Sequence, residues 1–150
     1  MACIDFFTEE ESAKIILDEI LPQILPHDIE WNVYSFRGKK DMLGKLLFRL
    51  RAYHHTPLAF RKVVVLIDSD HQDCIELKSE LEQIAAKAGL PTKTSGCESF
   101  RVVNRIVVEE LEAWFFGDVQ ALSSAYSSVP KSLSGRRGYE FPDKIHDPAE

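Results

Sequence analysis

Apolar residues recur along the first 126 positions in two rhythms that take turns. Cys3 to Thr8 is a short apolar run that reads as a strand. Glu11 to Leu25 then carries Ile15, Ile16, Ile20, Leu21 and Ile24 at helical spacing, with Pro26 behind it. Ile29, Trp31 and Val33 alternate with polar positions, so Ile29 to Phe36 is predicted as a half-buried strand. The turn Arg37-Gly38-Lys39-Lys40 leads into a second helix that runs to about Tyr53 and buries Met42, Leu43, Leu46, Leu47 and Leu50.

Lys62 to Asp68 has no polar break between Val63 and Ile67, the pattern of a strand covered on both faces, so this strand is predicted central and parallel. Gln72 to Ala88 reads as a long helix with Ile75, Leu77, Leu81, Ile84 and Ala85 inward and Cys74 buried, stopped by Gly89 and Pro91. A polar, mobile loop to Ser99 is expected next, then a fourth strand over Phe100 to Val108. A short helix over Glu109 to Phe116 follows, stopped by Gly117, with Trp114, Phe115 and Phe116 in the core. Asp118 is placed to cap a last helix containing Val119, Ala121, Leu122 and Tyr126. From Ser127 the chain turns to Ser, Pro, Gly and charge. Residues 127–150 are expected to be a polar tail or the cut end of a longer extension.

Strands alternating with helices imply a three-layer α/β sandwich over residues 1–126 with a mainly parallel four-stranded sheet, because each parallel crossover needs a helix and lays it on a sheet face. In such sheets polar function collects beyond the carboxyl ends of the strands, where the strand order reverses. Three of the predicted strands end in acid: Glu9-Glu10-Glu11 after the first, Asp68-Ser69-Asp70 after the third, and Glu109-Glu110 with Glu112 after the fourth. If the first and third strands are neighbours and the second lies outside, Glu9, Asp68 and Asp70 converge. Such crowding is costly unless a cation neutralises it. Oxygen-only ligands suit Mg²⁺ or Mn²⁺, and the Asp68-x-Asp70 spacing lets alternate residues leaving a strand turn toward one ion. Glu109 and Glu112, three apart, either extend this cluster or only answer the helix dipole. His71, directly after the pair, is either a proton-transfer aid or an ordinary histidine at a helix start.

Charge sharpens the picture. Eight Lys and Arg stand between Arg37 and Lys62 against Asp41 alone, a local +7 in a chain of net −6, so the rest carries −13. A basic patch beside acidic regions is the expectation. Lys39 and Lys40 are candidates for phosphate contacts, and Lys45 and Arg49, four apart on the second helix, for a nucleic-acid backbone; solvated surface charge is the plain alternative. Other chemistries lack support. Gly38-Lys39-Lys40 does not have phosphate-loop spacing, Ser12 and Ser69 have no recognisable His and Asp companions, and His54-His55 has no zinc partners at the usual intervals. Cys3, Cys74 and Cys97 are odd in number and widely spaced, which argues against a disulfide framework. With an acidic amino terminus and no apolar run of membrane length, the expectation is a cytoplasmic protein without a membrane partner.

A glutamate after the first strand and a DxD after the third resemble the Toprim domain of primases, topoisomerases and overcoming-lysogenization-defect nucleases. FFTEEESAK, FRGKKDML, VVVLIDSDHQDCIELK and VVEELEAWFFGD, taken together from Cys3 to Tyr126, resemble a prokaryotic Toprim-like family of unknown function whose genes often stand beside ATPase genes in defence loci. The resemblance implies a metal-dependent nuclease with Glu9, Asp68 and Asp70 as metal-holding and catalytic residues. It equally allows a non-catalytic binding or regulatory partner of an ATPase. Toprim domains commonly place glycine after the first acid, where Glu10 stands here, so the sequence leaves Glu9 and Glu10 both open as the first-strand acid.

Overall fold

The computed structural model describes residues 2–55, 61–108, 111–141 and 144–145. The elements are β1 (Ala2–Thr8), α1 (Glu11–Ile24), β2 (Ile29–Ser35), α2 (Lys39–His54), β3 (Arg61–Asp68), α3 (Cys74–Lys87), β4 (Val102–Val107) and α4 (Val119–Ala125). Short 3-10 turns cover Lys93–Ser95, Leu111–Asp118 and Leu133–Gly135. Contact density divides the chain into two units, Met1–Ile67 with Asp73–Ile106, and Asp68–Gln72 with Val107–Glu150.

The four strands form one parallel sheet in the order β2-β1-β3-β4. β1 pairs with β2 from Ala2↔Ile29 to Thr8↔Ser35, and with β3 from Cys3↔Arg61 to Thr8↔Leu66. The side-chain period of two then sorts β1 and β3 between two cores. Phe6, Val33, Val64 and Leu66 meet Leu17 and Leu21 of α1 on one face. On the other, Phe7, Val63, Val65 and Ile67 meet Met42, Leu46 and Leu50 of α2 and Leu77, Leu81 and Ala85 of α3. The unbroken apolar run of β3 is explained by this burial from both sides.

α3 begins at Asp73, whose carboxylate accepts from the backbone N–H groups of Ile75 (2.8 Å) and Glu76 (2.9 Å). It ends in a Schellman arrangement: Gly89 at φ +74° donates to Ala86, and Leu90, buried, donates to Ala85. Side-chain space also demands glycine at 89, since a Cβ there would stand 2.6 Å from the His54 ring.

Several expectations are corrected. Ile75 is 81 % exposed, because two residues along a helix turn through about 200°, placing it opposite the buried Leu77. Cys74 is half-buried, and Ile15 and Ile24 are exposed. The stretch after Gly89 is held by hydrogen bonds: Thr92 is buried, bridges Val102, and its hydroxyl accepts from the Ser95 N–H at 3.2 Å. In the second unit, Leu111–Asp118 is a 3-10 turn, not an α-helix. Its three-residue period sets Ala113 inward with Phe116 half-buried and leaves Trp114 and Phe115 43 % and 45 % exposed. Asp118 caps α4 as expected, accepting from the Ala121 N–H at 2.9 Å. Leu133 and Ile145 are buried, so the polar tail contributes apolar anchors of its own.

Candidate functional site

The strand order reverses between β1 and β3. The chain leaves β1 through α1 toward β2 on one side, and leaves β3 through α3 toward β4 on the other, and these two helices cover opposite faces of the sheet. Diverging connections of this kind mark the edge at which α/β proteins bind ligands. Both strands end in acid here: Glu9 follows Thr8, and Asp68 closes β3 two positions beyond the Thr8↔Leu66 pair.

Glu9 is 8 % exposed, whereas Glu10 is exposed and stands at the N-cap of α1 without a side-chain cap bond. Of the two, Glu9 is the inward acid. Its carbonyl accepts from the Gly38 N–H at 3.0 Å, tying the start of α2 to the end of β1. That start carries Lys39 and Lys40 in its first helical turn, against the sense of the helix dipole, together with Asp41. Lys45 is less available, being ion-paired with Asp41, whose carboxyl is held below its usual range mainly by that lysine. Arg49 lies further along α2 and lines a cavity of about 280 Å³ with Phe7, Tyr34, Ala52, Tyr53 and Arg61.

Asp68 is half-buried and Ser69 buried, while Asp70 and His71 are exposed. Gln72 N–H donates to the Ser69 carbonyl at 2.9 Å around a turn whose central residues, Asp70 and His71, have φ of +43° and +63°. Positive φ at both central positions is the type I′ pattern, usually supplied by Asn-Gly or Gly-Gly. Aspartate tolerates it; histidine at the second position is strained, and strain of this kind gathers at functional sites. Glu109 lies outside the described residues, and Glu112 enters only as part of the 3-10 turn. Among the described residues, no three His, Cys, Asp or Glu side chains form a group able to hold a metal ion.

A polar cluster that the sequence reading passes over lies on the α2 face of the sheet, toward the strand starts. Asp5 is fully buried in the middle of β1. It accepts from Asn32 Nδ2 and from the Tyr53 hydroxyl, both at 2.8 Å. Arg61 Nε stands 3.6 Å away, within ion-pair reach but beyond hydrogen-bond range, and is buried with no hydrogen-bond partner among the described residues. Burial, then the bond to Asp5, pushes the Tyr53 phenol well above its ordinary value, and burial beside Asp5 raises the Cys3 thiol. Arg101 closes the cluster from below, donating to the carbonyls of Arg61 (3.0 Å) and Tyr53 (3.3 Å). The signal available in the sequence is a single acid inside an otherwise apolar strand.

The Tyr53 shift has a definite sign. A phenol whose folded-state pKa is raised contributes stability that is whole below the unfolded value of about 10 and is lost as pH climbs past it. Tyr53→Phe is therefore expected to be less stable than wild type at neutral pH, by about 1 kcal/mol for the lost hydrogen bond, with the two converging above pH ~10. Denaturant titrations of both proteins across that range check this; parallel curves would refute it.

The fold and its acidic edge together define an open, parallel α/β protein with carboxylates at the point where the strand order turns back. The chain belongs to a family described as a domain of unknown function, DUF4276, which matches residues 8–150. No curated protein and no solved structure matches it. Among the described residues no helix is long and apolar enough to cross a membrane, and the three cysteines are free.

Proposed function

We propose that this protein hydrolyses phosphodiester bonds with the help of Mg²⁺ or Mn²⁺, Asp68 and Asp70 holding the ion and Glu9 serving as a further ligand or as general acid/base. The observation that carries this reading is the reversal of strand order between β1 and β3, the two strands that end in these acids. The donors are hard carboxylate oxygens, which suits Mg²⁺ or Mn²⁺ over softer metals. Mg²⁺ commonly takes only one or two carboxylates, with waters and phosphate oxygens completing its shell, so a three-residue cage is not required. Once bound, such an ion polarises a phosphoryl oxygen and lowers the pKa of a bound water. Glu9, buried at the end of β1, suits a proton-holding role, and Lys39 and Lys40 provide charge for the substrate's phosphates. The resemblance to Toprim nucleases and to a Toprim-like family of defence loci leads to the same activity.

Thermal unfolding with and without Mn²⁺ tests the metal site. At an ion concentration of about 100 Kd, binding adds roughly 2.7 kcal/mol, which for a chain of this size raises Tm by roughly 5–10 °C. The wild type should show that rise, a chelator should reverse it, and Asp68→Asn/Asp70→Asn should not respond. An equal rise in the double variant removes the site.

The second reading is a non-catalytic module that docks on an ATPase. Exposed Trp114, Phe115 and Tyr126 beside a cavity of about 330 Å³ in the second unit favour it, as does Glu10 in the glycine position. Metal binding without cleavage of any nucleic acid would select it.

A further inference from the structure

The outward face of α2 combines features that a merely solvated helix does not need. Lys40, Gly44, Phe48, Arg51 and His55 fall three or four residues apart, so they form one row, and all are exposed. Phe48, at the middle of that row, is 79 % exposed. One turn earlier, the direction in which helical side chains lean, stands Gly44. Glycine inside a helix costs about 1 kcal/mol relative to alanine, and no atom lies within 4 Å of the place its Cβ would take. The helix thus accepts a weak residue one turn before the phenylalanine, at a place where a Cβ would meet open space.

Beside this row, a groove of about 600 Å³ runs between the ends of α2 and α3. Its lining includes Phe48, Arg51, His54, His55 and Lys87, with no carboxylate among them. Arg51 and Lys87 have no ion pair among the described residues. In a chain of net charge −6, a carboxylate-free basic groove with a bare aromatic ring at its lip is complementary to a polyanion that has flat apolar groups to offer.

We propose that this face of α2 binds single-stranded nucleic acid, Phe48 stacking on a base while Arg51 and Lys87 hold flanking phosphates. A duplex keeps its bases stacked internally and has no free face for Phe48; a single strand does. The inference rests on the phosphodiesterase reading for its biological sense, since it names the substrate as single-stranded. Its physical basis is separate, because the groove contains none of the acids proposed to hold metal.

The test is fluorescence anisotropy with a labelled oligothymidylate and a blunt duplex hairpin, in EDTA so that no cleavage can occur. Wild type should prefer the oligothymidylate. Phe48→Ala should bind it about tenfold more weakly with an unchanged salt slope. Arg51→Gln/Lys87→Gln should lower the slope of log K against log salt by about 1.4, or about 0.7 per lost phosphate contact. Gly44→Leu should hold or raise Tm while weakening binding as Phe48→Ala does, which separates occlusion of the ring from unfolding. Equal affinity for both ligands, absence of binding to either, or a Phe48→Ala variant as tight as wild type each overturns the proposal. Binding without Mn²⁺-dependent cleavage would leave this inference standing and remove the phosphodiesterase; cleavage by a Phe48→Ala variant of undiminished affinity would do the reverse.

Discussion

Asp5→Ala is expected to cost the fold about 3–5 kcal/mol, the range for breaking a buried charge pair from one side. The lost carboxylate leaves three groups stranded: Asn32 Nδ2 and the Tyr53 hydroxyl lose their 2.8 Å acceptor, and the buried Arg61 Nε loses its counter-charge. Domains of this kind are stable by only about 5–15 kcal/mol, so roughly a fifth or more of the total is at stake. In a chain of this length each kcal/mol moves Tm by roughly 2–4 °C; a fall of roughly 6–20 °C follows. Replacing the acid together with its phenol and guanidinium partners, as Asp5→Leu/Tyr53→Phe/Arg61→Met, should recover part of the loss, because only the Asn32 amide is then left without its acceptor and no unpartnered charge remains to solvate. Denaturant unfolding of the single and triple variants measures both. A single variant within about 1 kcal/mol of wild type would mean that water reaches the cluster and replaces the carboxylate.

The second large effect concerns activity. If Asp68 and Asp70 hold the ion, Asp68→Ala/Asp70→Ala should lower metal-dependent cleavage by more than about 10³-fold, since even one lost electrostatic donor at a reacting phosphate or carbonyl costs 10²–10³. Stability should respond differently. Asp70 occupies a left-handed conformation at φ +43° that glycine adopts freely, so Asp70→Gly should fold at least as well as wild type while losing cleavage. A residue that glycine could replace at no cost to the fold, yet needed for rate, is kept for its side chain. Single-turnover cleavage in Mn²⁺, with melting curves of the same preparations, decides it. Full activity in Asp70→Gly would assign the turn a structural role only.

How far the sequence could be read follows from the range of the interactions involved. The central place of β3 was legible because burial on both faces leaves five consecutive apolar residues, and the end of α3 because its cap needs glycine at 89. Both are local. The arrangement on which the acidic-site expectation depended, with the first and third strands adjacent and the second outside, is the observed strand order. Ile75 and Trp114 were misjudged for lack of a period: two residues of helix, or a 3-10 turn in place of an α-helix, reverse the side that is buried. The Asp5 cluster was missed because its partners lie 27 and 48 positions away in Asn32 and Tyr53. No window along the chain contains them together.

From the end of β3 the chain contributes Asp68–Gln72 to the unit formed with Val107–Glu150, and then returns to the first unit. Within that unit the Ser69 N–H donates to the Val107 carbonyl at 2.9 Å. The aspartate turn is thereby anchored in the carboxyl-terminal third. Thermodynamic linkage then works in both directions: whatever stabilises the Ser69–Val107 hydrogen bond also sharpens the turn, and if the turn captures an ion as proposed, that ion would stabilise the bond. If the aspartates hold an ion as proposed, truncating the chain before Val107 should weaken that binding without altering either of them.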